Sequence, residues 1–467
     1  MSDVAPIANA DMPLDTTKSS RYARYVFLIM FLINLLNYMD RFVFTGAANV
    51  IGKELHFGID QVGFLASAFL IVYTLGTVPL GIWADRAKRK NVVAICIAVW
   101  SIATALTALA GNFLALFLSR MILGIGEAGY YPAGTALMSD YFSRKKRARV
   151  MSYWGAGALI GLMLGYIIGG QVAGIFPGSW RWAFVFTGIP GLILAWLSWR
   201  LREPRRNQAD DAELELDPHS LANATEIGDP PHAIVVPKTI LAQFGSLLRI
   251  KTMAVLILMQ IFAFFVLGAN TSFLPLFLQQ SDVYGMSSGE AGIISGGIIA
   301  VAGIAGLLLG GVLSDLLNKR YPGARVLVCG IGFLIGAPTY ALSVITSSLP
   351  LFLLCFIVTA MLLNIYNGPS TAATQDVVPS GLRASAVAIS LLLAHLFGDT
   401  FAPSIVGVLA HTFDPTHGTH FANNMAGHDL QLALLITCPP GLIIAGLIGI
   451  IGSRWMKSDL ASAEAAE

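Results

Sequence analysis

Twelve long apolar stretches recur along the chain, near 25–49, 61–84, 91–111, 113–137, 148–174, 181–200, 251–279, 290–315, 325–346, 350–374, 384–411 and 430–454, with polar runs between them. A hydrocarbon core of ~30 Å needs about 20 helical residues at ~1.5 Å each, and every stretch meets that length. Lipid offers no hydrogen bonds to a backbone, and the weak alternation of barrel strands is absent, so helices are the only solution. The pattern predicts an all-α membrane protein with twelve transmembrane helices in two six-helix halves.

The division into halves comes from the one long polar segment, about 203–248, which carries Asp210, Asp211, Glu213, Glu215 and Asp217 with several prolines. It reads as a linker with little fixed structure. The expected organisation is therefore a tail over 1–24, a bundle over 25–200, a linker over 201–250, a second bundle over 251–454 and a tail over 455–467. The first residues are polar, with no apolar core followed by a cleavage site, so no signal peptide is expected. The halves also echo each other. Gly81-Ile-Trp-Ala-Asp85-Arg86-Ala-Lys88-Arg89-Lys90 follows the second stretch, and Gly311-Val-Leu-Ser-Asp315-Leu-Leu-Asn-Lys319-Arg320 follows the eighth, 230 residues later. Internal repeats of this kind belong to secondary transporters, in which one half rocks on the other around a midplane site.

Composition agrees: 55% of residues are hydrophobic and 12% charged, about half the charged share of a globular domain. A net charge of +2 gives no reason to expect nucleic acid as a partner. With the amino terminus in the cytoplasm, 25 of the 29 basic residues fall on the inside, Lys53 and Arg181 fall outside, and Arg41 and Arg120 lie within the membrane. The positive-inside rule thus places both termini in the cytoplasm of a cell inner membrane, with the protein expected to act as a monomer. Cys96, Cys329, Cys355 and Cys438 all sit in apolar stretches and read as buried free thiols.

A charge at bilayer depth is costly unless paired or hydrated, so each intramembrane charge is a candidate site. Asp40 and Arg41 lie ~22–24 Å from the cytoplasmic end of the first helix, and Arg120 lies ~10 Å below the outer end of the fourth. Glu127 follows Arg120 by seven residues, close to two turns, and so shares its face near the midplane. These four are expected to line one cavity. Glu127 and Asp40 would take up the coupling proton, while Arg41 and Arg120 exchange partners and bind an anionic substrate group. In the second half, His395 and Asp399 are one turn apart and suit the proton path or substrate contact. Asn270, Asn364, Tyr366 and Asn367 offer hydrogen bonds to a ligand.

Other strings point away from enzymes and cofactors. Gly124-Ile-Gly126-Glu-Ala-Gly129 matches a dinucleotide pattern but lies inside a membrane helix with no strand before it. Gly285-Met-Ser287-Ser-Gly289 matches a nucleophile elbow but occupies a short outer loop. His411, His417, His420 and His428 share an outer loop without metal-type spacing, and Asn223-Ala-Thr225 is a glycosylation sequon on the cytoplasmic side. No phosphate-binding loop is present, so direct drive by ATP is not expected, and no cofactor or metal is expected.

The loop after the second helix resembles the Gly-x-x-x-Asp-Arg-x-Gly-Arg-Arg/Lys signature of the major facilitator superfamily, with Lys88 at the usual second glycine. Arg120-Met-Ile-Leu-Gly124-Ile-Gly126 in the fourth helix and the glycines of the fifth are similar to that superfamily too. Asn37-Tyr38-Met39-Asp40-Arg41, Gly126-Glu127-Ala128, Arg202-Glu203-Pro204 and Gly398-Asp399 with Pro403 resemble the spinster-like branch. That resemblance implies a lysophospholipid or sphingolipid-phosphate class of substrate. Tyr130-Tyr131-Pro132-Ala133 also looks like the anion:cation symporters, which import sugar acids and similar carboxylates, so both substrate classes stand. The resemblance further implies that Asp85, Arg86 and Arg89, with Asp315 and Arg320, latch neighbouring helix ends across the cytoplasmic side when the carrier faces outward.

Overall fold

The computed structural model describes residues 16–206, 208–209, 245–280, 282–379, 382–413 and 426–464. Most of the linker, the sequon, His417 and His420 lie outside these residues. Among the described residues, twelve helical spans are long and apolar enough to cross a membrane, as the hydropathy pattern predicts. In the first half they comprise α1 (Thr16–Leu55), α2 (Ile59–Arg86), α3 (Arg89–Thr107), α4 (Phe113–Ala128) with α5 (Tyr130–Tyr141), α6 (Arg144–Ala173) and α7 (Trp180–Arg200). The second half has α8 (Lys251–Gln279), α9 (Ser288–Asn318), α10 (Ala324–Ile345), α11 (Leu349–Asn364) with α12 (Asn367–Val377), α13 (Arg383–Ala394) with α14 (Ala402–Phe413), and α15 (Ala426–Gly452). A short α16 (Met456–Glu464) follows.

Three spans are interrupted. The fourth breaks at Gly129, three residues before Pro132, and the tenth at Ile365–Tyr366, just before Pro369. Proline has no N–H for the carbonyl four residues back and its ring crowds that carbonyl, here Ala128 and Ile365, so the helix gives way at that turn. The two prolines are 237 residues apart, a register of the repeat that the loop motifs do not show. The eleventh span widens into a π-helical turn over His395–Asp399, where Thr400 N–H donates to the His395 carbonyl at 3.1 Å. Such single π turns concentrate at functional sites.

Glycines bring backbones together within and between the halves. A methyl group at Gly161 would lie 2.0 Å from the Leu35 carbonyl oxygen, and one at Gly169 2.2 Å from that of Val43, so α6 rests directly on α1. Further along α6, Gly170 meets Ser288, and Gly292 of α9 meets Tyr166, at similar distances. That contact joins the two halves. α2 meets the eleventh span in the same way, with Gly63 against the Pro403 carbonyl and Gly407 against Ile59.

Both ends of the membrane domain emerge on one face, where most of the basic residues gather; it is called the basic face below. The hydrogen bonds that stitch the halves lie beyond the midplane from it: Asn49 Nδ2 to Gln279 Oε1 (3.1 Å), Ser288 Oγ to the Gly170 carbonyl (2.8 Å), Tyr166 Oη to the Thr271 carbonyl (2.5 Å) and Ser404 N to Ser67 Oγ (3.2 Å). The bundle is therefore sealed on the face opposite the basic one.

The expected tails differ in detail. Helix α1 starts at Thr16, and Tyr22 within that extension accepts a hydrogen bond from Arg202 N at 2.7 Å. At the other end α16 is docked: Met456 is fully buried, and Asp459 Oδ2 accepts from Thr252 N at 2.7 Å, satisfying an orphan amide at the start of α8.

Candidate functional site

At the middle of the first half, Arg41 and Glu127 form a buried ion pair. Glu127 Oε2 accepts from Arg41 Nη2 at 2.8 Å and from Nε at 3.2 Å. The guanidinium lies among three rings, with its carbon 5.1 Å from the Tyr38 centroid, 4.8 Å from Phe69 and 4.7 Å from Tyr73. Cation–π attraction strengthens when water is excluded, so the cage and the carboxylate together hold Arg41. Glu127 Oε1 makes no hydrogen bond, and the Asn37 amide beside it lacks the geometry to donate.

Arg120 shares part of the cage. Its guanidinium carbon is 4.9 Å from Phe44 and 5.2 Å from Phe69, and its Nη2 donates to the Arg41 carbonyl at 3.3 Å. Phe69 thus contacts both arginines. Asp40 packs toward α3 and α7, within electrostatic range of Glu127 and Arg120. Its side chain is fully buried beside Thr187 of α7 and Trp100 of α3, and neither oxygen has a hydrogen bond of good geometry. Of the four residues expected to line one cavity, Arg41 bonds Glu127 and accepts from Arg120 at its carbonyl, whereas Asp40, the residue before Arg41 and rotated from it by ~100°, lies in the packing between helices.

In the second half, His395 Nδ1 lies 2.9 Å from Asp399 Oδ2 and 3.2 Å from Oδ1. The π turn sets this pair, and Gly268 of α8 makes room for it, since a methyl there would fall 2.7 Å from Asp399 Cβ. Asn270 Oδ1 accepts from Tyr340 Oη at 3.0 Å while its amide donates to the Val266 carbonyl. Asn270 and Asn364 line a narrow pocket with Thr271, Thr359 and Phe356. Asn364 and Asn367 bond to each other and to the backbone around the helix break, and Tyr366 is buried against Phe264 and Phe333.

The basic face carries two matched latches. Arg89 Nη1 donates to Asp140, and Arg89 Nε to Glu203 at 3.3 Å; Glu203 also accepts from the backbone amides of Arg89 and Lys90 at 3.0 Å each. In the second half Arg325 Nη1 donates to Asp376, with Asp315 3.7 Å from Arg325 Nη2. Of the residues expected to form latches, Arg89 and Asp315 are in ion pairs, each within its own half. Arg320 is exposed and Asp315 pairs with Arg325 instead, because α10 starts beside it. Asp85 and Arg86 are exposed, and Arg206 donates to the Asp85 carbonyl. Asp140, Glu203, Arg325 and Asp376 were not expected from the sequence; their signal is that both ion pairs span 51 residues.

On the opposite face the two outer cations are accounted for in part: Arg181 pairs with Glu54 and stacks on Trp180 at 4.2 Å. His428 bonds to Gln431, and no cluster of three metal-type side chains occurs among the described residues.

Two bundles of six spans, related by an internal repeat and joined around buried charges, define a membrane carrier of the secondary type. The chain belongs to the Major Facilitator Superfamily, whose profile matches residues 30–403. Within it the chain is a transporter of the spinster type and not an enzyme. It is 29% identical to protein spinster homolog 1 of Xenopus tropicalis over 443 residues, which cover 92% of this chain and 80% of the relative. It is 25% identical to the sphingosine-1-phosphate transporter of Danio rerio, over 91% of this chain and 83% of that one. A solved bacterial homologue of the human lysosomal transporter spinster, inward-facing and unoccupied, matches with a TM-score of 0.76 and 26% identity, covering 96% of this chain and 98% of that one. A D-xylose–proton symporter shares the fold at a TM-score of 0.64 and 17% identity.

Proposed function

We propose that the chain is a proton-coupled carrier that moves an amphiphilic or organic anion, lysolipid-like in character, across the inner membrane by alternating access. The observation that carries this reading is the Arg41–Glu127 pair, buried at the midplane inside an aromatic cage. A carboxylate there is held by one guanidinium, so protonating it releases the arginine. Arg41, with Arg120 beside it, then offers planar donors to a phosphate or carboxylate of the substrate. The likeness to a sphingosine-1-phosphate transporter supports an anionic amphiphile. Asp40, buried without a hydrogen-bond partner, is assigned to hold a second proton, and His395 and Asp399 extend the path into the other half.

The positive-inside rule assigns the basic face to the cytoplasm, and the sealed face then points outward, which makes this an inward-facing state. The Arg89 and Arg325 latches, with Asp85, Arg86 and Arg320 nearby, set the populations of the two states. The Tyr130-Tyr131-Pro132-Ala133 run is the sequence feature that resembles carboxylate symporters, and it is why sugar acids form the second arm of the test.

Proteoliposomes with a pH-sensitive dye inside are challenged in turn with lysophospholipids and sugar acids, comparing wild type with Glu127→Gln. A lysophospholipid-dependent proton signal that vanishes in the variant is expected. Uptake without proton movement, or an unchanged Glu127→Gln protein, defeats the coupling scheme; a signal from sugar acids alone reassigns the substrate.

A further inference from the structure

The two titratable pairs sit in different halves, and one ring touches both. Tyr73, at the middle of α2, has the Arg41 guanidinium over it at 4.7 Å, and its hydroxyl lies beside that same group. The ring also meets His395 of the π turn, with centroids 6.4 Å apart and planes at 78°. His395 is fixed on its other side by Phe264 of α8, 4.9 Å away at 85°, and by Asp399. Glu127, Arg41, Tyr73, His395 and Asp399 therefore form one continuous line across the boundary between the halves.

We propose that Tyr73 is a positioning residue that couples the Arg41–Glu127 pair to the His395–Asp399 pair across the interface of the two halves. This rests on the proton-coupled reading above and extends it. An aromatic ring attracts a cation through its negative face, so Arg41 anchors the Tyr73 ring, which packs at 78° on the His395 ring. With Arg41 on the ring, as here, Tyr73 is held against the His395 ring. When Arg41 leaves, drawn off by an anion, the ring loses that anchor and its packing on His395 changes. The charge state of one half is thereby read by the other.

The surroundings bound the claim. Tyr73 is faced by Arg41 and Tyr38 from α1, by Glu127 from α4 and by His395. His395 is faced by Asp399 on its own turn and by Phe264, which carries no proton, from α8; Tyr366 from the tenth span interacts with Asp399. The contact also sits where motion would register. It lies six residues, ~9 Å, along α2 from Ser67, where the seal on the opposite face ends.

The test uses the full chain in nanodiscs, spin-labelled at Lys53→Cys and Thr412→Cys, two exposed positions on the outer ends of the two halves. Electron–electron distances are followed across about pH 5.5 to 8.5, the range in which histidine titrates. The labelled parent should change its closed fraction with pH. Tyr73→Leu should shrink that swing by about fivefold or more, the equivalent of losing one cation–π contact. Tyr73→Phe, which keeps the ring, should retain it and serves as the folding control. A Leu variant with the parental swing overturns the bridge, as does a Phe variant that loses it, since the ring would then not be the coupling element. A parent with no swing defeats proton coupling itself and takes the bridge with it.

Discussion

Arg89 and Asp140 are 51 residues apart in sequence and bonded in space, and Arg325 and Asp376 repeat both the spacing and the bond in the second half. The copies differ in setting. The Arg89 and Asp140 side chains are 9% and 7% exposed, against 18% and 30% for the later pair. A buried pair that loses one member leaves an uncompensated charge, whereas water screens the survivor of an exposed pair.

The two latches should therefore respond unequally to substitution. Arg89→Ala should destabilise the protein by about 3 kcal/mol or more, and Arg325→Ala by about 1 kcal/mol. Thermal unfolding in detergent, read by tryptophan fluorescence, ranks them; equal losses would mean that burial does not govern the pairs.

Arg41→Lys should keep the charge yet lose the cage. An ammonium cannot lie flat among Tyr38, Phe69 and Tyr73 while donating twice to Glu127. Proton flux driven by an active substrate should fall by about tenfold or more, in line with roughly 1.4 kcal/mol of lost interaction. A Lys variant with wild-type flux would show that charge alone suffices.

Asp40 offers the opposite case. Because neither oxygen is hydrogen-bonded, Asp40→Asn should leave unfolding unchanged or raise its midpoint, while proton movement is lost. A marked fall in stability would reveal a structural bond at this carboxylate and remove the reason for assigning it a proton.

The seal on the face away from the basic residues should yield to a single side chain. A methyl group at Gly292 would stand 2.4 Å from the Tyr166 carbonyl oxygen, and overpacking of this kind costs about 1–3 kcal/mol. Gly292→Val should push the halves apart there, so that Ser295→Cys, fully buried in the parent, reacts with a membrane-impermeant thiol reagent. Protection equal to that of the parent background would place the seal elsewhere.

The fold was readable because a bilayer allows so few answers. Each apolar run had to be a helix, and Glu127 and Arg41 stood out as charges where lipid tolerates none. Their direct bond was not readable, since helix periodicity relates residues on one helix and this pair joins two. Asp40 shows the same limit: adjacent to Arg41 in sequence, it faces other helices. Tyr73 carried no signal at all, being one aromatic among many in an apolar run. Asp140 and Asp376 lie at span ends among polar neighbours, where a carboxylate is unremarked. The spacing of 51 residues in both halves was present in the sequence, but Arg89 and Asp140 map onto Arg325 and Asp376 only at an offset of 236 residues, one short of that between Pro132 and Pro369 and six beyond that of the loop motifs.

The interruptions in the fourth and tenth spans bear on how force travels. An unbroken helix behaves as a lever, and tilting one end swings the other. In the fourth span the break at Gly129 falls between Glu127, on α4, and Asp140, on α5; in the tenth it falls between Asn364 and Asp376. Each lever is cut between the membrane's centre and the surface latch. In the alternating-access cycle proposed above, the latch segments would pivot at these breaks while the side chains at the centre keep their registration, so that the gate would be worked without shaking the lock.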